Sequence, residues 1–326
     1  SLPRVEPAPV EEDLWRRDFS VNAIALPLSR AARTRITGFF DPTGGLPDLE
    51  KKKLRILHPR SFHDDPTRVL RAARLGPRLG FSLTRPTRSS LRGALRDGAF
   101  GRVSGERLRR ELWKLFDDAV QGLDPAKALV ALQDWHVLGA LEPGLTVERD
   151  VVPVLRRLGR AIASPPWRSA RWRPWMTGFG IWLSPLPPAL RKRALRRLAV
   201  RGSAAERIAV LPTLRDRTLR SLESARGRGA VDALLRDVGE EELHAIHAWA
   251  TPSLRRRIVR FAEEDRYRRL PVTGADLASL GLEGPAIGKA LDRIRAALLD
   301  GAVSSREEAL SLAREVGRRR SGRHKR

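Results

Sequence analysis

From Asp65 to the end of the chain, apolar residues recur at spacings of three and four, the period of an amphipathic helix. Val69, Leu70, Ala73 and Leu79 can share a core-facing stripe. Ser104 stands as an N-cap ahead of Leu108, Leu112, Leu115 and Phe116, at i, i+4, i+7 and i+8. Ser305 and Glu308 have the spacing of a capping box, and Arg318–Arg326 reads as a frayed, solvated basic tail. The first fifty residues follow another rule. Residues 1–15 are Pro-rich and acidic, and two β-like runs follow, Phe19–Leu28 and Thr34–Phe40, parted by Ser29 and Arg30. Asp41-Pro42-Thr43-Gly44-Gly45 is a turn. Two isolated strands are marginally stable, so they are expected to complete a sheet whose other strands lie outside this chain. The pattern predicts a mostly α fold with a small α+β piece at its N-terminus.

Composition adds a partner class. The 326 residues are 41% hydrophobic and 31% charged, enough to bury a core. Lys and Arg number 63 against 38 acidic residues, a net charge of +25, and only eight of the basic residues are Lys. Such an excess favours a polyanion such as nucleic acid, with GC-rich codon bias as the alternative source. The sequence has no Cys, which excludes disulfides, thiolate metal sites and a Cys nucleophile. No apolar run nears the roughly 20 residues that span a bilayer. Glu11, Glu12 and Asp13 stand where a signal peptide would be apolar, so a cytoplasmic protein without a membrane partner is expected. The first residue is Ser, which suggests that the chain starts inside a longer reading frame.

The most informative stretch is Asp64-Asp65-Pro66-Thr67-Arg68-Val69-Leu70-Arg71-Ala72-Ala73-Arg74. Asp65 can cap a helix whose first turn holds Pro66. Arg68, Arg71, Arg74 and Arg78 then share one face below that carboxylate. A carboxylate accepts from an exocyclic amino group, and a guanidinium donates to a ring nitrogen or carbonyl. Cytosine and adenine offer that amino–acceptor edge, whereas uracil and guanine would set a carbonyl against the carboxylate. Each unpaired buried group costs about 1–3 kcal/mol, so one Asp–Arg pair can admit CTP and ATP and reject the others. The alternative is a capped amphipathic helix with a solvated Arg face.

Residues 151–200 hold 11 basic side chains and no acidic ones, interleaved with Trp167, Trp172, Trp175 and Trp182. Arg168, Arg171, Arg173, Arg191 and Arg193 are candidates for phosphate contacts there, with stacking from the Trp residues. The alternative is that the Trp residues are packing and the Arg residues solvated. His63-Asp64 and the i, i+3 pair His244 and His247 lack further ligands at metal-binding spacing, so no metal site is assigned.

Four ordered segments carry a resemblance. They are Arg16-Arg17-Asp18-Phe19-Ser20-Val21-Asn22-Ala23-Ile24-Ala25, then Asp41–Gly45 with Asp48-Leu49, then the Asp65–Arg74 helix, then Ser104-Gly105-Glu106-Arg107 with Glu111-Leu112. Together they resemble the motifs of the bacterial class II tRNA nucleotidyltransferase and poly(A) polymerase family, and most of all its A-adding and CCA-adding members. A weaker likeness continues at Thr273–Arg314, with Gly281-Leu282, Gly284-Pro285 and Arg306-Glu307-Glu308. The resemblance implies a remnant of a nucleotidyltransferase head at 1–48, a neck that binds the base and RNA at 49–145, and a helical, tRNA-binding body and tail at 146–326. It implies addition of AMP, and of CMP as a further substrate, to the 3′ end of tRNA. It implies ATP and CTP as substrates and Mg²⁺, held by the missing head, as cofactor.

By the same resemblance Arg17 contacts the incoming nucleotide, and Asp18 and Asn22 shape the ribose and phosphate pocket. Gly44 and Gly45 form a flexible joint. Asp65 and Arg68 are the protein template for the base, Arg71 and Arg74 complete the nucleotide set, and Glu106, Arg107 and Glu111 buttress the neck. Family members usually have Glu where this chain has Asp64. They also carry a Gly-rich turn and an Asp-x-Asp pair that holds two metal ions. No Asp-x-Asp occurs in this sequence. Asp64-Asp65 and Asp117-Asp118 are no substitute, because neighbouring helical residues diverge by about 100°. The metal carboxylates are therefore expected upstream, no catalytic residue is assigned within the chain, and the chain alone is expected to be inactive. A non-catalytic RNA-binding fragment or remnant of the family is the second reading.

Overall fold

A computed structural model describes residues 7–26, 38–168 and 171–321. Two compact units emerge: one holds residues up to Ser164 with Pro174–Ala209, the other Pro165–Arg173 with Val210 onward.

The first unit opens with α1 (Val10–Trp15), a 3₁₀ turn at Ser20–Asn22, and α2 (Gly45–Glu50). β1 (Lys53–Leu54) leads through α3 (Ser61–Asp64) and α4 (Thr67–Leu79) into β2 (Ser82–Leu83). The two strands pair in parallel, Lys53 with Ser82 and Leu54 with Leu83, so α3 and α4 form the crossover that parallel strands require. α5 (Arg85–Arg96), α6 (Gly105–Asp117), α7 (Pro125–Asp134), α8 (Val137–Leu141), α9 (Val151–Ala163), α10 (Pro174–Leu183) and α11 (Pro188–Arg197) complete the unit. α4 packs on α6 and α7, and α9 and α10 pack back on that layer. For that reason the boundary expected at 145 falls inside the first unit.

The expected strand Phe19–Leu28 is corrected in its described part. Phe19 makes a single antiparallel bridge to Ile56, the chain then turns, and Ala25 bridges Phe40. The turn at Ser20 lets its hydroxyl donate to Asp48 at 2.6 Å, a contact that an extended run would not reach. Residues 27–37, and with them most of the second expected run, lie outside the described residues. Gly44 and Gly45 stand in a tight, hydrogen-bonded turn. Gly44 has φ +71°, and Asp41 accepts from the N–H groups of Gly45 (2.6 Å) and Leu46 (2.8 Å). A Cβ on Gly45 would lie 2.2 Å from the Ser20 carbonyl oxygen, so only glycine fits.

Local chemistry sets the helix ends. Thr67 N–H donates to Asp65 Oδ1 at 3.0 Å with Pro66 in helical conformation beside it, and Arg107 N–H donates to Ser104 Oγ at 3.4 Å. Leu108, Leu112, Leu115 and Phe116 are buried in the predicted phase, as are Val69, Leu70 and Ala73. Leu79 departs from it: it sits in the last turn before left-handed Gly80 and is 43% exposed.

α12 (Gly202–Ser224) runs from the first unit into the second, which continues with α13 (Gly227–Leu235), α14 (Glu240–Trp249), α15 (Pro252–Glu263), α16 (Gly274–Ala278), α17 (Pro285–Leu299) and α18 (Arg306–Ser321). One core gathers Trp167, Leu235, Ile246, Ile258 and Phe261; another gathers Leu277, Leu282, Ile294 and Ala309. The Ser305–Glu308 box forms, with Glu308 N–H on Ser305 Oγ (3.1 Å) and Ser305 N–H on Glu308 Oε2 (3.2 Å). α18 continues through Ser321 where a frayed tail was expected; residues 322–326 lie outside the described residues.

Candidate functional site

α4 presents its arginines on one face, and carboxylates from distant segments meet them there. Arg68 is 15% exposed at its side chain; Nη1 donates to Ser61 Oγ (2.8 Å) and Nη2 to the Arg16 carbonyl (3.2 Å). Its Nε lies 3.3 Å from Asp18 Oδ1, an ion pair that is not aligned as a hydrogen bond. A guanidinium has five N–H donors, so Arg68 retains some for a ligand. Arg71 donates twice to Asp18 (2.8 and 3.1 Å) and lies 3.5 Å from Glu111. Burial works against the charged form of Arg71, but Asp18, Glu111 and Asp65 outweigh it and raise its pKa. Arg74 joins Glu111 (3.1 Å) to Asp118 (2.9 Å), and Lys114 adds a third cation on Glu111 (2.8 Å). Arg71 and Arg74 are thus engaged in a ladder of ion pairs along the helix.

Asp65 tops this ladder. Among the described residues, every hydrogen bond and ion pair to its carboxylate ends on Oδ1: Thr67 N–H at 3.0 Å, Thr67 Oγ1 at 2.6 Å and Arg107 Nη2 at 3.0 Å. The resemblance has Arg107 brace the neck; in the structure it reaches the Asp65 carboxylate from α6. No signal in the sequence links these positions, which are 42 residues apart.

The N-terminal residues divide. Asp18 is partly buried and pairs with Arg68 and Arg71 on the arginine face. Arg17 is exposed and pairs with Asp13, and Asn22 is exposed at the end of the 3₁₀ turn.

The basic segment of 151–200 does not form one patch. Arg168, Arg171 and Arg173 belong to the second unit, Arg191 and Arg193 to the first. Arg191 is corrected outright. It is 8% exposed, and its guanidinium donates to the carbonyls of Leu183, Ser184, Leu186 and Ala209. It staples the end of α10 and cannot also reach RNA. Arg193 pairs with Glu142 (2.7 Å) and Arg173 with buried Glu241 (2.6 Å), each about half exposed; Arg168 and Arg171 are exposed. The Trp residues are packing. Trp175 stacks on Trp113 at 4.3 Å, Trp182 is fully buried, and Trp167 and Trp172 both lie against His244, the latter at 3.5 Å and 2°. Burial first, then His247 and Arg266, push the His244 pKa down to about 3.

Among the described residues no group of three or more His, Asp or Glu side chains gathers as metal ligands. They therefore do not fit the Mg²⁺ site that the resemblance implies. No described helix is long and apolar enough to cross a membrane.

Fold and site together define a helical protein with a carboxylate–guanidinium pair at the head of a charged helix. A family model for the poly A polymerase head domain matches residues 3–55. An A-adding tRNA nucleotidyltransferase of Geobacter sulfurreducens is 28% identical over 323 residues, covering 96% of this chain but 36% of that protein. A CC-adding tRNA nucleotidyltransferase of Deinococcus radiodurans is 30% identical over 307 residues, covering 94% and 66%. The solved Thermotoga maritima CCA-adding enzyme complexed with tRNA superposes with a TM-score of 0.75 at 25% identity, covering 93% of this chain and 73% of that one. The chain belongs to the tRNA nucleotidyltransferase and poly(A) polymerase family, and its mostly helical fold is that of the CCA-adding enzymes.

Proposed function

We propose that this chain carries the base-selecting part of a tRNA 3′-end nucleotidyltransferase. The full-length protein transfers AMP, with CMP as a further substrate, to the terminal ribose hydroxyl of tRNA, and pyrophosphate leaves. Asp65 accepts from the amino group of adenine or cytosine while Arg68 donates to the neighbouring ring acceptor. Asp18 and Ser61 hold the Arg68 guanidinium so that it meets the base already oriented. Exposed Arg168 and Arg171 supply phosphate contacts to the tRNA. One observation supports this reading above the rest: Asp65 and Arg68 stand at the head of α4, each partly buried and each anchored by a separate set of partners.

The test is incorporation of labelled ATP, CTP, GTP and UTP into tRNA lacking its 3′ end by the full-length protein, beside Asp65→Ala. The expected result is transfer of ATP or CTP, with discrimination against GTP and UTP lost in the variant. Unchanged selectivity would overturn the template role. No transfer, with tRNA binding that weakens as salt rises, would instead mark a non-catalytic RNA-binding protein.

A further inference from the structure

Building on the proposed template role of Asp65, we propose that Arg107 is a positioning residue for base selection. A free carboxylate rotates about its last bond and presents either oxygen. Here three donors converge on Oδ1, two from Thr67 in the same turn and one from Arg107 across the fold. Thr67 holds Oδ1 from the first turn of α4 and Arg107 holds it from α6, so the position of that oxygen is set by two elements. Oδ2 is thereby turned to whatever enters the site. An amino group donates to it, whereas a base carbonyl sets two acceptors face to face.

The placement of Arg107 is itself built in. Its own N–H donates to the N-cap Ser104, which fixes the first turn of α6 and with it the origin of the side chain. Its side chain is 54% exposed, so truncation opens no core cavity. α4 and α6 also pack on one another, which sets the distance between the backbones that carry Asp65 and Arg107.

The experiment compares Arg107→Ala, Arg107→Lys and Asp65→Ala in the full-length protein. It reads kcat/KM for ATP or CTP against GTP and UTP, and the dissociation constants of the same nucleotides without transfer. Loss of one charge-assisted hydrogen bond on Asp65 is expected to cut the discrimination ratio about tenfold in Arg107→Ala. That loss should appear mainly in KM, with partial recovery in Arg107→Lys and thermal unfolding little changed. A uniform loss for all four nucleotides, or none, would overturn the positioning role while the effect of Asp65→Ala upholds the template. Unchanged selectivity in Asp65→Ala would remove the template itself. Arg107→Gln retains most of the stem and is read in the same way should the alanine variant fail to fold.

Discussion

Glu111 lets the ion-pair ladder be weighed. Its side chain is 6% exposed and receives Lys114 at 2.8 Å, Arg74 at 3.1 Å and Arg71 at 3.5 Å. Glu111→Gln keeps the shape and removes the charge, and the new NH₂ group faces cations it cannot serve. Removing one partner of a buried ion pair costs about 3–5 kcal/mol. Arg71 retains Asp18 and Arg74 retains Asp118, so neither guanidinium is wholly stranded. The loss should therefore lie at the low end, about 3 kcal/mol. For a unit of this size that lowers Tm by about 6–12 °C. Thermal unfolding gives the global number, and hydrogen exchange of the α4 and α6 amides shows whether the loss is local. A double-mutant cycle with Arg74→Met should give a coupling of about 0.5–3 kcal/mol. A fall in Tm below about 2 °C, or a Glu111→Met variant as stable as the parent, would refute the account, because the buried charge would then be dispensable.

Two further predictions concern the remainder of the molecule. Arg191→Met removes the guanidinium's hydrogen bonds to the carbonyls of Leu183, Ser184, Leu186 and Ala209; Leu183 keeps the Leu186 N–H, and each carbonyl left unsatisfied costs about 1–3 kcal/mol, so the first unit should lose stability while the salt slope of tRNA binding stays put; a lower slope in a folded variant would return Arg191 to the RNA surface. His244 has a folded pKa of about 3, below its unfolded value of 6.5, so the unfolded state binds the extra proton between those values. Its contribution is fully present above pH 6.5 and is lost as pH falls towards 3, at up to about 1.4 kcal/mol per pH unit. Denaturant titrations across that window should show the slope, and His244→Phe should flatten it; an equal slope in both would place the titration elsewhere.

What the sequence made legible was local. The arginine spacing of three, three and four fixed the phase of α4, and Asp65, Ser104, Ser305 and Glu308 announced helix starts through one hydroxyl or carboxylate each. Those bonds span two or three residues and need no tertiary knowledge. Arg191 shows the opposite case. Beside Lys192 and Arg193 it reads as one more solvated cation, and only the return of the chain past Ala209 reveals it as a buried staple. Arg107 and Asp65 likewise meet only after α4 and α6 pack. For Trp167 and Trp172 the sequence leaves base stacking and packing both open; each lies against His244, which no periodicity could announce.

The place of Gly45 beside the Ser20 carbonyl, where a Cβ would not fit, has a mechanical consequence. Ser20 is tied to Asp48, Asp48 to Arg55, and Arg55 to the carbonyls of Thr43 and Gly44. The 3₁₀ turn, α2 and β1 must therefore travel as one plate in any opening motion. Asp18 lies just outside that plate and grips Arg68 and Arg71, so motion of the plate would be felt first as tension on those two arginines of α4.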